Sequence, residues 1–170
     1  MKLKLLIIPV FIILLFAISC TETQIKNTEN SKDIILQTDN FEQEKAAILT
    51  VLNEETKAAF SRDYESWQSK WVQESYVTKT YMDFPNNTMT ETLGWAEIND
   101  FVKTYIEEHP EPDPIPTLVD EIQVRLFGNA AWVSYEQNDV ERGLKRETRL
   151  MEKVDNQWKI AGMHTTIYGK

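Results

Sequence analysis

The segment ETRLMEKVDNQWKIAGMH, residues 147–164, sets one arginine and one of the chain's two histidines into stretches that otherwise alternate like strands. An arginine's planar fork binds carboxylates through paired hydrogen bonds. A histidine can take or give a proton near neutral pH. Arg149 shares a strand face with Glu147, Met151 and Lys153. It reads as an anchor for a polar ligand group, as a structural partner of Glu136 or Glu147, or as part of a solvated face. His164 reads as a general acid–base group or as a hydrogen-bonded core or interface histidine. Metal chemistry is not expected. Two histidines and one cysteine make no His/Cys site, and EEHPEPD (107–113) lacks calcium-loop spacing and reads as a solvated connector. No cofactor motif is present either.

The bulk composition narrows the partners. The chain has 170 residues, 42% hydrophobic and 11% aromatic, enough for one domain with a core. Its net charge of −9 and lack of a basic patch argue against nucleic acid and against charge-driven binding to anionic headgroups. The first residues are of another kind. Lys2 and Lys4 precede an apolar run, Leu5 to Ile18, that contains Pro9 and is short for a membrane span. It closes on FAISC, small residues leading into Cys20, the only cysteine. The pattern resembles a bacterial lipobox, with Ala17 where leucine is commoner. The expectation is a signal peptide over residues 1–19, a lipidated Cys20, and anchorage to a membrane of the bacterial cell envelope, on the periplasmic or surface side. A plain cleaved signal peptide or an uncleaved anchor are the alternatives.

Polar residues 20–40 read as a flexible tether, and 41–170 as the domain. Ile48, Val51, Leu52 and Ala59 place a first helix from Phe41 to about Ser61. Asp63 caps a short second helix bearing Tyr64, Trp67 and Trp71. SYVTKTYMD (75–83) alternates as a strand, Pro85-Asn86-Asn87 turns, and a third helix follows Gly94 with Ile98, Phe101, Val102, Tyr105 and Ile106 as its apolar stripe. Pro110 stops it. Four strands follow, around 122–126, 130–137, 146–154 and 157–168, an antiparallel meander. The order predicts an α+β class, three N-terminal helices packed on a curved, mainly antiparallel sheet. In the last strand, Trp158, Ile160, Gly162, His164 and Thr166 fall on one face, and Lys159, Ala161, Met163, Thr165 and Ile167 on the other. Both faces are apolar beyond Lys159, so one is expected to meet the helices and the other a second copy in a homodimer.

RDYESWQSKW (62–71), GNAAWVSYEQ (128–137) and the final hairpin from Glu147 to Thr166 resemble the nuclear transport factor 2-like superfamily, which includes SnoaL-like cyclases and ketosteroid isomerase. The nearest likeness is to the association domain of calcium/calmodulin-dependent protein kinase. The resemblance covers about residues 41–169 and implies a cone with a pocket at its wide end. It places Arg149 pointing into that pocket, and Gln137 and Thr165 at further pocket positions that are basic in the association domain. Likeness to ketosteroid isomerase puts Lys79 near the position of the base, with Asp83 beyond it and Tyr81 or Tyr76 nearby, but no second acid matches. Aromatic side chains such as Trp67 and Tyr76 are mostly core or line an apolar pocket. The expectation is therefore a non-catalytic module that binds a small organic ligand or supports assembly. The alternative is a small isomerase-, cyclase- or hydrolase-type enzyme on an apolar ligand, with Asp83 or His164 as base and Arg149 as partner.

Overall fold

The structure, a computed structural model, describes residues 22–139 and 142–170, with side chains from residue 37 on. The chain divides into two compact units between Asp39 and Asn40. In the first, the backbone from Glu22 is helical and opens helix α1 (Glu22–Phe60). The helix therefore begins well before the expected Phe41, within the stretch read as a tether. No Gly or Pro interrupts Glu22–Phe60, so nothing in that stretch compels a stop. The expected leader over residues 1–19 and Cys20 lie outside the described residues. Among the described residues no helix is long and apolar enough to cross a membrane.

The second unit holds the domain. The later turns of α1 bury Ile48, Leu52 and Glu55. Arg62 turns the chain in the left-handed region, with φ 62. Asp63 then caps α2 (Tyr64–Ser69), its carboxylate accepting the Ser66 N–H at 3.0 Å, as expected. Trp67 and Trp71 pack against each other and, with Ile48, Ile98, Val133, Met151 and Ile160, belong to the core. Burying each such side chain stabilises by roughly 1.5–3 kcal/mol. Strand β1 (Thr78–Asp83) turns through Asn87 into β2 (Thr88–Leu93). Helix α3 (Trp95–Glu108) starts at Gly94, whose φ of 79 suits glycine and whose Cβ position would lie 3.2 Å from the Ser75 carbonyl oxygen. Its buried residues are Ile98 and Val102. Strands β3 (Gln123–Phe127), β4 (Ala130–Asp139), β5 (Gly143–Val154) and β6 (Gln157–Gly169) complete the unit.

The strands form one curved six-stranded sheet in the order β2-β1-β6-β5-β4-β3. Among the described strands only the β1–β6 pair is parallel. The α+β class and mainly antiparallel sheet are as expected. Strand β2 is not in the sequence reading. It is an edge strand with mostly exposed residues, TMTETL, so it lacks the apolar alternation that marks a half-buried strand.

A bulge changes the reading of β6. Leu150 registers with Gly162 but Met151 registers with Ile160, which leaves Ala161 as the extra residue. The bulge shifts the alternation by one. Trp158 and Ile160 thus join Ala161, Met163, Thr165 and Ile167 among the buried residues facing the helices, while His164 and Tyr168 are exposed. The strand is not apolar on both faces. Its outward side carries Gly162, His164, Thr166 and Tyr168.

Candidate functional site

Strand register gathers polar side chains on the sheet face that meets the helices. Lys79 on β1, Met163 on β6, Arg149 on β5 and Val133 on β4 form one row. Tyr81, Thr165, Glu147 and Tyr135 form the next. Lys79, Arg149, Glu147 and Thr165 are each 8% exposed or less, as is Glu55 from α1. Five polar or charged residues so close to dry need partners, because a buried group left unpaired costs far more than an exposed one.

The carboxylates find theirs. Glu55 Oε1 accepts the Trp67 indole N–H at 2.9 Å and the Trp71 indole N–H at 3.4 Å. Glu147 Oε2 accepts the Thr165 hydroxyl at 2.7 Å and lies 3.4 Å from Arg149 Nη2, while its Oε1 lies 3.6 Å from Lys145 Nζ. The cations are less completely met. Arg149 Nε donates to the Tyr135 hydroxyl at 3.3 Å, but its Nη1 is buried without a hydrogen-bond partner among the described residues. The Lys79 ammonium lies over the rings of Tyr81 and Phe101, at 5.6 and 5.2 Å from their centres, and forms no salt bridge with a described carboxylate. Each carboxylate of the cluster thus has partners, while among the described residues Arg149 Nη1 has none.

Its electrostatics follow from that packing. Burial pulls the Lys79 amine down to about 8; Arg149 acts in the same sense, while Glu55 and Glu147 oppose it. Burial pushes Tyr135 up to about 12 and Tyr81 well above the usual tyrosine range, so both hydroxyls stay protonated at neutral pH. Burial works against the charge of Arg149, but Tyr135, Glu147 and Glu55 outweigh it and hold the guanidinium firmly charged.

The residues singled out in the sequence divide. Arg149 and Thr165 sit in the cluster, and Trp67 reaches it through Glu55. Of the structural partners weighed for Arg149, Glu147 is one; Glu136 instead takes Arg146 at 2.7 Å. Gln137 lies on the same face, two residues along from Tyr135, with its amide donating to the Thr117 carbonyl at 3.2 Å. The other three lie elsewhere. Tyr76 is 57% exposed and donates its hydroxyl to Glu152. Asp83 accepts the backbone and side-chain amides of Asn86 and so closes the β1–β2 turn. His164 is exposed by the shift that the bulge imposes. Neither proposed base stands in the cluster. Sequence reasoning set Lys79 near a base position and Tyr81 nearby without giving either a role, and did not single out Glu55 or Tyr135. The available signals were the likeness that sets Lys79 near a base position and a lysine on the same strand face as Tyr81.

A separate open groove of about 550 Å³ lies between α1 and the β5–β6 hairpin, lined by Glu44, Lys70, Lys153 and Trp158 among others. Lys153 and Trp158 both bond Glu44, and Lys70 pairs with Glu54. These groups are satisfied by each other, so the groove makes weaker demands on a ligand than the cluster does. Among the described residues no three metal-ligating side chains come together.

Residues 48–168 match the sequence profile of the SnoaL-like domain. No match is found among curated proteins. Among solved structures, the chain resembles a cystatin-like fold protein from Burkholderia xenovorans, with 19% identity and a TM-score of 0.56 over 74% of this chain and 92% of that one. It resembles equally a nuclear transport factor 2-like superfamily protein from Salmonella enterica, at 17% identity and a TM-score of 0.56, covering 74% and 92%. A protein described as a putative dehydratase of the nuclear transport factor 2-like family from Streptomyces avermitilis shares 15% identity with a TM-score of 0.53, covering 75% and 97%. At these identities the structural likeness speaks for the fold alone.

Proposed function

The chain belongs to the SnoaL-like domain family, and on that premise we propose that it is a lipid-anchored protein of the bacterial cell envelope whose cone binds a small organic ligand without catalysis. The ligand carries a carboxylate or a similar anion, held by Arg149. One observation carries this reading: Arg149 Nη1 is buried and, among the described residues, without an acceptor, in a cluster where Glu55 accepts two indoles and Glu147 a hydroxyl. A carboxylate oxygen supplies the missing acceptor. Lys79 adds a second positive charge in the same row. The anchor rests on the lipobox-like sequence ending in Cys20.

The experiment is calorimetric titration of the protein with small aliphatic and aromatic carboxylates, each paired with its neutral amide. The acids should bind and the amides should not. Arg149→Gln should weaken binding by about 1.5–3 kcal/mol, the range for a hydrogen bond to a charged group. Equal binding of acid and amide removes the proposal.

We also propose self-association through the outward face of the sheet, where Trp132 and Leu150 are adjacent and exposed and Gly162 leaves room for the Leu150 side chain. The enzyme reading keeps less support, since Asp83 and His164 stand apart from the cluster.

A further inference from the structure

The cluster contains a second group with chemistry of its own. Lys79 and Arg149 each register with Met163, one strand to either side. Their backbones are thus two strand spacings apart, roughly 10 Å, with Met163 between them on the same face. Lys79 is 8% exposed, its ammonium rests on two aromatic rings, and no described carboxylate is salt-bridged to it. A lysine held this way is the ordinary starting point for a nucleophilic amine, because burial without an ion pair favours the neutral form. Its lowered pKa, caused first by burial, agrees with that placement.

We propose that Lys79 captures its ligand covalently and reversibly, forming an imine with the carbonyl carbon of a small carboxylic acid that also bears a ketone or aldehyde, while Arg149 holds the carboxylate. The inference rests on the reading of Arg149 as the carboxylate anchor and names the ligand class. The neutral Nζ adds to the carbonyl carbon, a C–N bond forms, and the carbonyl π pair goes to oxygen. A proton passes from nitrogen to that oxygen to give the carbinolamine. The C–O bond then breaks, the oxygen takes a proton from solvent and leaves as water, and the nitrogen lone pair closes the protonated imine. No oxidant or reductant is needed. Tyr81 and Tyr135, kept protonated by burial, line the adjacent row as hydroxyl donors. Hydrolysis releases the ligand unchanged.

The test uses the full chain, pyruvate as probe and cyanoborohydride to reduce any imine to a stable secondary amine, followed by peptide mapping by mass spectrometry. Lys79 should be modified about tenfold or more faster than exposed lysines at pH 7.5, the advantage expected from its larger neutral fraction. The rate at Lys79 should rise with pH to a midpoint near 8. Arg149→Gln should slow modification of Lys79 by about tenfold, and acetone, which lacks the carboxylate, should show no preference for Lys79. Modification of Lys79 no faster than of exposed lysines overturns the inference, as does a preference that survives Arg149→Gln. Melting shifts with propionate separate the two readings. If propionate stabilises the wild type but not Arg149→Gln while pyruvate leaves Lys79 unlabelled, the imine is refuted and the anchor stands. If propionate stabilises neither, the anchor reading fails with it.

Discussion

Lys79 makes the fold's stability depend on pH in a direction opposite to that of most proteins in alkali. In the unfolded chain its amine titrates near 10.5; in the folded chain burial brings it to about 8. Between those values the unfolded chain holds a proton that the folded chain has released, so stability rises with pH. The gain is complete above 10.5, shrinks as pH falls, and is gone below 8. Integrating from pH 7 to 10 gives about 2.5 kcal/mol from this one residue. Tyr81 and Tyr135 act in the opposite sense. Burial raises both, so their stabilising effect is full below 10 and declines above it. The window that isolates Lys79 is therefore pH 7 to 10. Urea unfolding followed by tryptophan fluorescence should show the wild type gaining about 2.5 kcal/mol over that window relative to Lys79→Met. Parallel pH profiles for the two proteins would refute the argument, because they would mean that the amine is as well solvated folded as unfolded.

Other consequences are as direct. Glu55→Leu should cost about 2–4 kcal/mol in urea unfolding, since it leaves the indole N–H groups of Trp67 and Trp71 buried without their acceptor. Cys20→Ala should abolish fatty-acid labelling in a bacterial host and release the protein from membranes in fractionation. Trp132→Glu should convert the proposed homodimer to monomer by sedimentation, while His164→Glu, on the same face but two residues from the Trp132–Leu150 pair in register, should perturb it less.

Where sequence and structure agree, the agreement has local causes. The α3 helix and the Asp63 cap of α2 both depend on neighbours within one turn, so both were legible, although of the expected α3 stripe Ile98 and Val102 are buried while Phe101 and Tyr105 are exposed. Arg149 was legible as a site candidate because an arginine between Glu147 and Met151 on a strand face is unusual. What was missed depends on registers between distant strands. The single extra residue at Ala161 moves His164 outward and Trp158 inward, and only the pairing of β5 with β6 reveals it. Lys79 reaches Arg149's row only through the parallel β1–β6 pairing, which joins segments about eighty residues apart. Strand β2 was invisible because an exposed edge needs no apolar alternation. The start of α1 was misplaced because a polar helix without Gly or Pro looks the same as a polar tether when no buried face sets its period.

The claim at the centre of the account is that Arg149 spends its free nitrogen on a ligand. The most direct measurement is a crystal structure of the protein with the tightest-binding carboxylate found by calorimetry. The account predicts a carboxylate oxygen within hydrogen-bond distance of Arg149 Nη1, with Glu147 still bonded to Thr165 and the Lys79 amine beside the same ligand. A carboxylate seated instead in the groove at Glu44 and Lys153, with Arg149 unchanged, would contradict it.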